Sequence, residues 1–163
     1  MIYHHWHAIG TVVIVAPRGV APAAAGIPYF SVLKVATLPP SPKLSTNLGP
    51  KFSCKSKAPG GHLVSVHNTK ANGDVLCIVI KFNPRNLRIW IGGFEFFQSG
   101  KFVWTDGSSW NYQIWTPGEP NHVFTYREDC VEMNWNHVGK WNDDACYVKK
   151  NYMCAFKVTT ALP

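Results

Sequence analysis

Residues 119–146 read EPNHVFTYREDCVEMNWNHVGKWNDDAC, and this run carries the clearest structural and chemical pattern of the chain. Calcium is a hard cation that takes about six to eight oxygen ligands from carboxylates, amide carbonyls, backbone carbonyls and water. If a disulfide between Cys130 and Cys146 held the two halves of the run together, five oxygen-bearing side chains would converge on one such ion. These are Glu119, Asn121, Glu128, Asn142 and Asp143. A calcium ion with open positions can then bind a ligand with neighbouring hydroxyls, such as a sugar.

Each piece of this pattern is weak when taken alone. Glu119-Pro120-Asn121 ordinarily marks a loop turn, because Pro and Asn favour turns for backbone reasons. Trp141-Asn142-Asp143 is no more specific. The co-occurrence of both with Glu128, two residues before a cysteine, makes the combination specific.

The combination resembles the C-type lectin-like domain family, in which Glu-Pro-Asn, a Glu shortly before a Cys, and Trp-Asn-Asp build the calcium and sugar site. The resemblance runs from near Lys51 to Lys157 and is greatest to soluble, single-domain lectins of fish and snake-venom type. Four further segments carry it: Gly60–Val66, Trp90-Ile91-Gly92-Gly93, Phe102–Ser108 and Tyr152-Met153-Cys154.

The resemblance implies an α+β fold with two small antiparallel sheets, one to two helices and a long calcium-binding loop region. Cysteine spacing alone leaves the connectivity open. The resemblance implies disulfides Cys130–Cys146 and Cys54–Cys154, and a cis bond before Pro120. It also implies that calcium and carbohydrate are bound by the same residues: Glu119, Asn121, Glu128, Asn142 and Asp143.

The function implied is that of a secreted, calcium-dependent lectin, without enzymatic activity, that binds glycans on cell or microbial surfaces. The order Glu-Pro-Asn resembles family members that prefer mannose, N-acetylglucosamine or fucose over galactose. The alternative is a lectin-like domain used for ice binding or for a protein partner. A hydrolase has little support, because the carboxylates are better explained as ligands and no Ser-His-Asp or Cys-His arrangement is suggested.

Net charge and cysteine content restrict the class of protein. The net charge is +7, with +3 in residues 1–50 and +4 in the remainder. No basic stripe alternates with exposed aromatic residues, so nucleic acid is a poor candidate partner. The apolar runs are too short to span a bilayer. Five cysteines in one domain-sized chain favour an oxidising, extracellular setting.

Cys77 is the odd cysteine once the implied pairs are formed. It lies in the apolar run Val75–Ile80, which favours a buried free thiol. The alternative is an intermolecular disulfide that joins a homo-oligomer.

Residues 1–50 form an atypical segment that is rich in Ala, Pro and Gly and shows little periodicity. The family-like domain is therefore placed at residues 51–163, and its N-terminal part is incomplete. Three interpretations of residues 1–50 remain open: a signal peptide, an alternative first exon, or a divergent or disordered part of the mature protein.

Local patterns predict the secondary structure from Leu63 onward. A helix is expected over Asn68–Lys81 and ends at Asn83-Pro84, and a long loop is expected over residues 107–128. Within that loop, the apolar spacer His122–Arg127 stands beside Asn121; stacking on a second sugar, packing and a partner surface are all open roles for Phe124 and Tyr126. Strands are expected at Leu63–Val66, Ile89–Ile91, Phe102–Thr105, Cys130–Trp135, Lys140–Trp141 and Tyr152–Lys157.

Overall fold

The computed structural model describes residues 12–14, 32–34, 54–56, 59–85, 87–97, 99–121 and 127–156. The helical elements are α1 at residues 54–56 and α2 at Thr69–Phe82. The strands are β1 (Val12–Ile14), β2 (Val32–Lys34), β3 (His62–Leu63), β4 (Ile89–Glu95), β5 (Phe102–Trp104), β6 (Cys130–Met133), β7 (Trp141–Asp144), β8 (Asn151–Tyr152) and β9 (Cys154–Ala155).

The main sheet has the strand order β5-β4-β6-β7, with antiparallel neighbours, and β8 runs parallel to β4 beside it. Two further antiparallel pairs are described, β3 with β9 and β1 with β2. This is the α+β, C-type lectin-like fold class that the sequence predicted. The β1–β2 pair lies within residues 1–50, where the sequence predicted no strand, and the domain boundary near residue 51 remains a prediction.

Two glycines let β4 run closer to its neighbours than any other residue would allow. A Cβ on Gly92 would lie 2.9 Å from the carbonyl oxygen of Leu63, and a Cβ on Gly93 would lie 2.6 Å from Cγ2 of Val131. The amide of Gly92 donates to the carbonyl of Val64 at 2.7 Å. The Trp90-Ile91-Gly92-Gly93 motif therefore joins the chain around β3 to the main sheet, and β4 extends to Glu95, four residues beyond the predicted end.

Helix α2 begins and ends within one residue of its predicted limits. The side chain of Asn68 caps it by accepting from the amide of Ala71 at 2.8 Å, and Asn83 is the C-cap. The helix packs through one face, because residues four positions apart lie on the same side. Val75 and Val79 are buried on that face.

The prediction that Cys77 is buried is wrong. Cys77 is exposed and is not in a disulfide. It lies two residues after Val75, which in a helix places it on the opposite side from the packed face. The apolar run that suggested burial contributes only part of its residues to the core, and Ile80 of the same run is 46% exposed.

The core is dominated by aromatic side chains from the loop region and the sheet. Trp104 and Trp141 are almost fully buried, and Trp110 and Trp115 pack against the same cluster. The ring centroids of Trp104 and Trp110 lie 4.4 Å apart. These indoles anchor the long loop to the sheet.

Two disulfides close the domain, with the pairing that the family resemblance implied. Cys54 pairs with Cys154, which joins α1 to β9, and Cys130 pairs with Cys146 across the β6–β7 hairpin. Strand β6 begins at the predicted residue and ends two residues early, whereas β7 begins one residue and ends three residues later than predicted. Strand β3 is shorter than predicted, and Met153 separates β8 from β9. Within the described residues, no helix has the length and hydropathy needed to cross a membrane.

Candidate functional site

The loop that carries Glu119 is fastened to β7 by backbone hydrogen bonds. The amide of Trp141 donates to the carbonyl of Ile114 at 2.9 Å, and the amide of Thr116 donates to the carbonyl of Trp141 at 2.8 Å. A turn follows, in which the amide of Glu119 donates to the carbonyl of Thr116 at 3.0 Å. The Glu119–Pro120 bond is cis, as the resemblance implied. The loop thus brings Glu119 to the strand that carries Asp143.

The carboxyl groups of Glu119 and Asp143 lie close enough for the charge of Asp143 to affect Glu119. Burial is the main cause that raises the pKa of Glu119 from 4.5 to about 7. The negative charges of Asp143 and Glu128 act in the same direction. A hydrogen bond with Asn121 acts against them. The structure therefore brings together Glu119, Asn121, Glu128 and Asp143, four of the five side chains singled out in the sequence.

A cation would stabilise this arrangement. Oε2 of Glu119 is buried and has no hydrogen-bond partner, a state that costs free energy unless something compensates for the lost water. Carboxylates that repel one another are favoured by a nearby positive charge, and carboxylate and amide oxygens are the ligands that calcium prefers. The side chains present therefore fit a calcium ion.

The described carboxylates do not form a ready-made metal cage. Across residues 54–156, apart from the stretches left undescribed, no group of three or more His, Cys, Asp or Glu side chains is arranged to hold a metal ion. Groups of this kind contain no amide side chains, so amide oxygens would have to complete the coordination shell of a calcium ion. The spacer residues 122–126, which include His122, Phe124 and Tyr126, lie outside the described residues.

Glu128 is positioned by its neighbour in the chain. The carbonyl of Asp129 accepts from the amide of Glu95 at 2.7 Å, which fixes this segment to the end of β4. The Asp129 side chain is buried and forms an ion pair with Arg127 at 2.9 Å. Asp129 therefore serves to hold the segment in place beside Glu128.

Asn142 has a different described partner. Its Nδ2 donates to Oε1 of Glu132 at 3.0 Å, and both side chains are buried. The Asn142 side chain therefore leaves β7 on the face that carries Glu132, its register partner. Its inclusion in the calcium set stays a prediction.

Sequence reasoning missed a buried cluster of charges around Glu132. Arg88 donates through Nε and Nη2 to the two oxygens of Glu132, at 2.8 and 2.6 Å. Lys150 lies 3.1 Å from Oε1 of Glu132 and also pairs with Asp144. No local pattern relates residues 88, 132, 144 and 150. Only the Glu132–Asn142 register of the hairpin, once known, would have suggested that they meet.

A polar cluster near β3 contains a serine and a histidine in contact. Oγ of Ser65 lies 3.2 Å from Nε2 of His67, whose Nδ1 lies 2.8 Å from Oδ1 of Asn111. The hydroxyl donates to Asp106 at 2.6 Å, so its proton points away from the imidazole. Burial raises the pKa of Asp106, but hydrogen bonds from Ser108 and Ser65 outweigh it and hold this pKa below its ordinary value. The cluster is therefore arranged as a hydrogen-bonded brace between loops.

Comparison with known proteins identifies the family of this chain. A family model for the lectin C-type domain matches residues 49–156. The chain belongs to the C-type lectin domain family. A lectin from Pleurodeles waltl is 37% identical over 65% of this chain and 61% of its own length. The galactose-specific lectin nattectin from Thalassophryne nattereri is 37% identical over 59% of each chain. The matched part of this C-type lectin chain thus spans about three fifths of these relatives.

Solved C-type lectin folds superimpose on most of the chain. The crystal structure of a calcium-independent type II antifreeze protein matches with a TM-score of 0.63 and 25% identity, and it covers 94% of this chain and 98% of that one. The same fold is therefore shared with a calcium-independent antifreeze protein.

Proposed function

We propose that this chain is a secreted, calcium-dependent lectin that binds glycans on cell or microbial surfaces. The observation that supports the proposal is the buried Oε2 of Glu119, which has no hydrogen-bond partner and lies in a group whose pKa is raised by burial and by the charges of Asp143 and Glu128. The cation would be held by Glu119, Asn121, Glu128 and Asp143, together with Asn142. Family membership and the lectin relatives support the same conclusion.

Calcium would supply coordination positions for two neighbouring hydroxyls of a sugar. The carboxylates of Glu119 and Glu128 would accept the hydroxyl protons, and the amide N–H groups of Asn121 and Asn142 would donate to the hydroxyl oxygens. An amide nitrogen carries two N–H groups, so the bond from Asn142 to Glu132 leaves one for the sugar. A site with so few contacts binds one sugar weakly, and useful affinity requires several sites.

The preference proposed is for mannose, N-acetylglucosamine or fucose. It rests on the order Glu119-Pro120-Asn121, which places the charged oxygen and the amide donor on opposite sides of Pro120. The galactose specificity of nattectin makes galactose the competitor to exclude.

The test is retention on immobilised mannose in millimolar calcium, elution by a chelator, and competition with free mannose against free galactose. Glu119→Gln should abolish retention. Asp74→Asn is the matched control, because it removes one carboxylate from an exposed position on α2 where Asp74 pairs only with Lys70 among the described ion pairs. The double variant Glu119→Gln/Asn121→Asp should move the preference to galactose. Binding of the wild type to neither sugar in calcium would reject the lectin function.

Ice binding is the second candidate, and the resemblance to the calcium-independent antifreeze structure favours it. Thermal hysteresis measured with calcium and with chelator separates the two functions. Hysteresis without sugar binding would support the second candidate, and sugar binding without hysteresis supports the first.

A further inference from the structure

Glu132 and Asn142 face one another across the β6–β7 hairpin. They are register partners in the ladder, and their side chains leave the sheet on the same face. The distance from Nδ2 of Asn142 to Oε1 of Glu132 is 3.0 Å. Glu132 is fully buried and Asn142 is 6% exposed, so this contact is sheltered from water.

Arg88 and Lys150 place two positively charged donors against the carboxylate of Glu132. Arg88 forms a bidentate ion pair with the carboxylate of Glu132, and the ammonium of Lys150 lies 3.1 Å from Oε1 of Glu132. An ionised carboxylate accepts hydrogen bonds and cannot donate them. Both oxygens of Glu132 are engaged by donors, so this carboxylate is not itself available as a calcium ligand.

The charges of the cluster balance within it. Arg88 and Lys150 supply two positive charges, and Glu132 and Asp144 supply two negative charges. The stem of Lys150 is buried, with the ammonium 3.9 Å from the ring centroid of Trp90. Such a cluster has one stable arrangement of donors and acceptors, because any buried partner left unmatched would cost free energy.

We propose that Glu132 is a positioning residue that fixes the orientation of the Asn142 amide. A side-chain amide can present either its oxygen or its NH2 group to a neighbour. Because the carboxylate of Glu132 accepts hydrogen bonds, the Asn142 amide turns its NH2 group toward Glu132. The amide oxygen of Asn142 then remains available to bind a calcium ion. The opposite orientation would set the amide oxygen of Asn142 against the carboxylate of Glu132. This inference rests on the proposed calcium binding and names the residue that prepares one of its ligands.

The first experiment measures calcium affinity by isothermal titration calorimetry, without sugar. Glu132→Gln replaces the acceptor with a group that can also donate, so the orientation of Asn142 is no longer dictated. Calcium affinity should fall about 10- to 100-fold, as when the partner of a metal ligand is removed. Asp144→Asn is the matched control, because it removes the same charge from the same cluster without a described contact to Asn142. Equal losses in the two variants would overturn the proposal, since the cluster would then act only through stability.

A second variant covers the case in which Glu132→Gln does not fold. Asn142→Asp adds a carboxylate directly opposite Glu132, and like charges in that position repel. Calcium affinity should therefore fall in the wild-type background, although a ligand charge has been gained. Where Glu132→Gln folds, combining it with Asn142→Asp should restore affinity, because the glutamine amide donates to the new aspartate. Tighter calcium binding by Asn142→Asp alone would overturn the proposal.

Nuclear magnetic resonance of the calcium-free protein gives a readout independent of calcium. The side-chain NH2 of Asn142 should exchange slowly with solvent in the wild type and in Asp144→Asn, and quickly in Glu132→Gln. Fast exchange in the wild type would contradict the orientation. If the wild type binds no calcium, the proposed function fails, and this measurement alone still decides whether Glu132 orients Asn142.

Discussion

The indole N–H of Trp141 donates to Oδ1 of Asn72 at 2.9 Å, and Nδ2 of the same asparagine donates to the carbonyl of Gly139 at 2.8 Å. Asn72 is buried on α2, so a single amide joins the helix to the first residue of β7 and to the turn before it. Since β7 carries Asp143, this contact links the helix packing to the position of the candidate site.

Asn72→Ala should destabilise the protein by about 2–4 kcal/mol, because it leaves a buried indole N–H and a buried carbonyl without partners. Urea unfolding monitored by tryptophan fluorescence measures the free energy of unfolding. Lys70→Ala, on the exposed side of the same helix, is the control and should change stability by less than about 0.5 kcal/mol. Similar effects for the two variants would argue against a structural role for the Asn72 bridge.

Gly93→Ala should destabilise the protein by about 1–3 kcal/mol, because its new methyl group would overlap the side chain of Val131. Gly73→Ala, in α2, should instead stabilise it by about 0.5–1 kcal/mol, since no atom lies within 4 Å of the added Cβ and alanine favours a helix. The melting temperature should therefore fall in Gly93→Ala and rise in Gly73→Ala. Adding Val131→Ala to Gly93→Ala should recover part of the loss; no recovery would place the strain elsewhere.

The parts of the fold that local chemistry governs were predictable from the sequence. Asn68 and Asn83-Pro84 mark the ends of α2 because capping and the exclusion of proline depend on neighbouring residues only. The length of β4 was not predictable, since glycine disfavours strands and only the distant contacts with Leu63 and Val131 explain Gly92 and Gly93.

The candidate site divides in the same way. Glu119, Asn121, Glu128 and Asp143 were singled out by motif, and the structure places the last three near enough to Glu119 to affect its pKa. The role of Glu132 was not visible in the sequence, because its partners Arg88 and Lys150 lie far from it in the chain and meet it only through the sheet register.

Cys77 should react with a thiol reagent in the native protein. It is exposed, and the four remaining cysteines are in disulfides, so one equivalent should be labelled without denaturant. Cys77→Ser should fold normally and show no labelling. If the wild type is labelled only in denaturant, the Cys77 thiol is not accessible in the native protein. A dimer band on a non-reducing gel that is absent in Cys77→Ser would then show that Cys77 forms a disulfide with a second copy of the chain.

The burial of Glu119 beside the negative charge of Asp143 makes the stability of the calcium-free protein depend on pH. The pKa of Glu119 is raised in the folded state to about 7, whereas its ordinary value is 4.5. The folded state therefore holds a proton that the unfolded state has released between these values. Stability is lost as pH rises across this window, because the stability slope follows the difference in bound protons.

Calcium should reverse this dependence. The ion requires ionised carboxylates, so protons compete with it and calcium affinity should fall as pH drops below about 7. Melting temperatures of the wild type and Glu119→Gln, measured from about pH 5 to about pH 8 with chelator, provide the comparison, since histidines titrate in both proteins and their effects cancel in the difference. With chelator, the melting temperature of the wild type should fall relative to that of Glu119→Gln as pH rises. With saturating calcium, it should rise relative to that of Glu119→Gln over the same pH range. A difference that stays constant with pH in chelator would mean that Glu119 is not buried beside Asp143 as described.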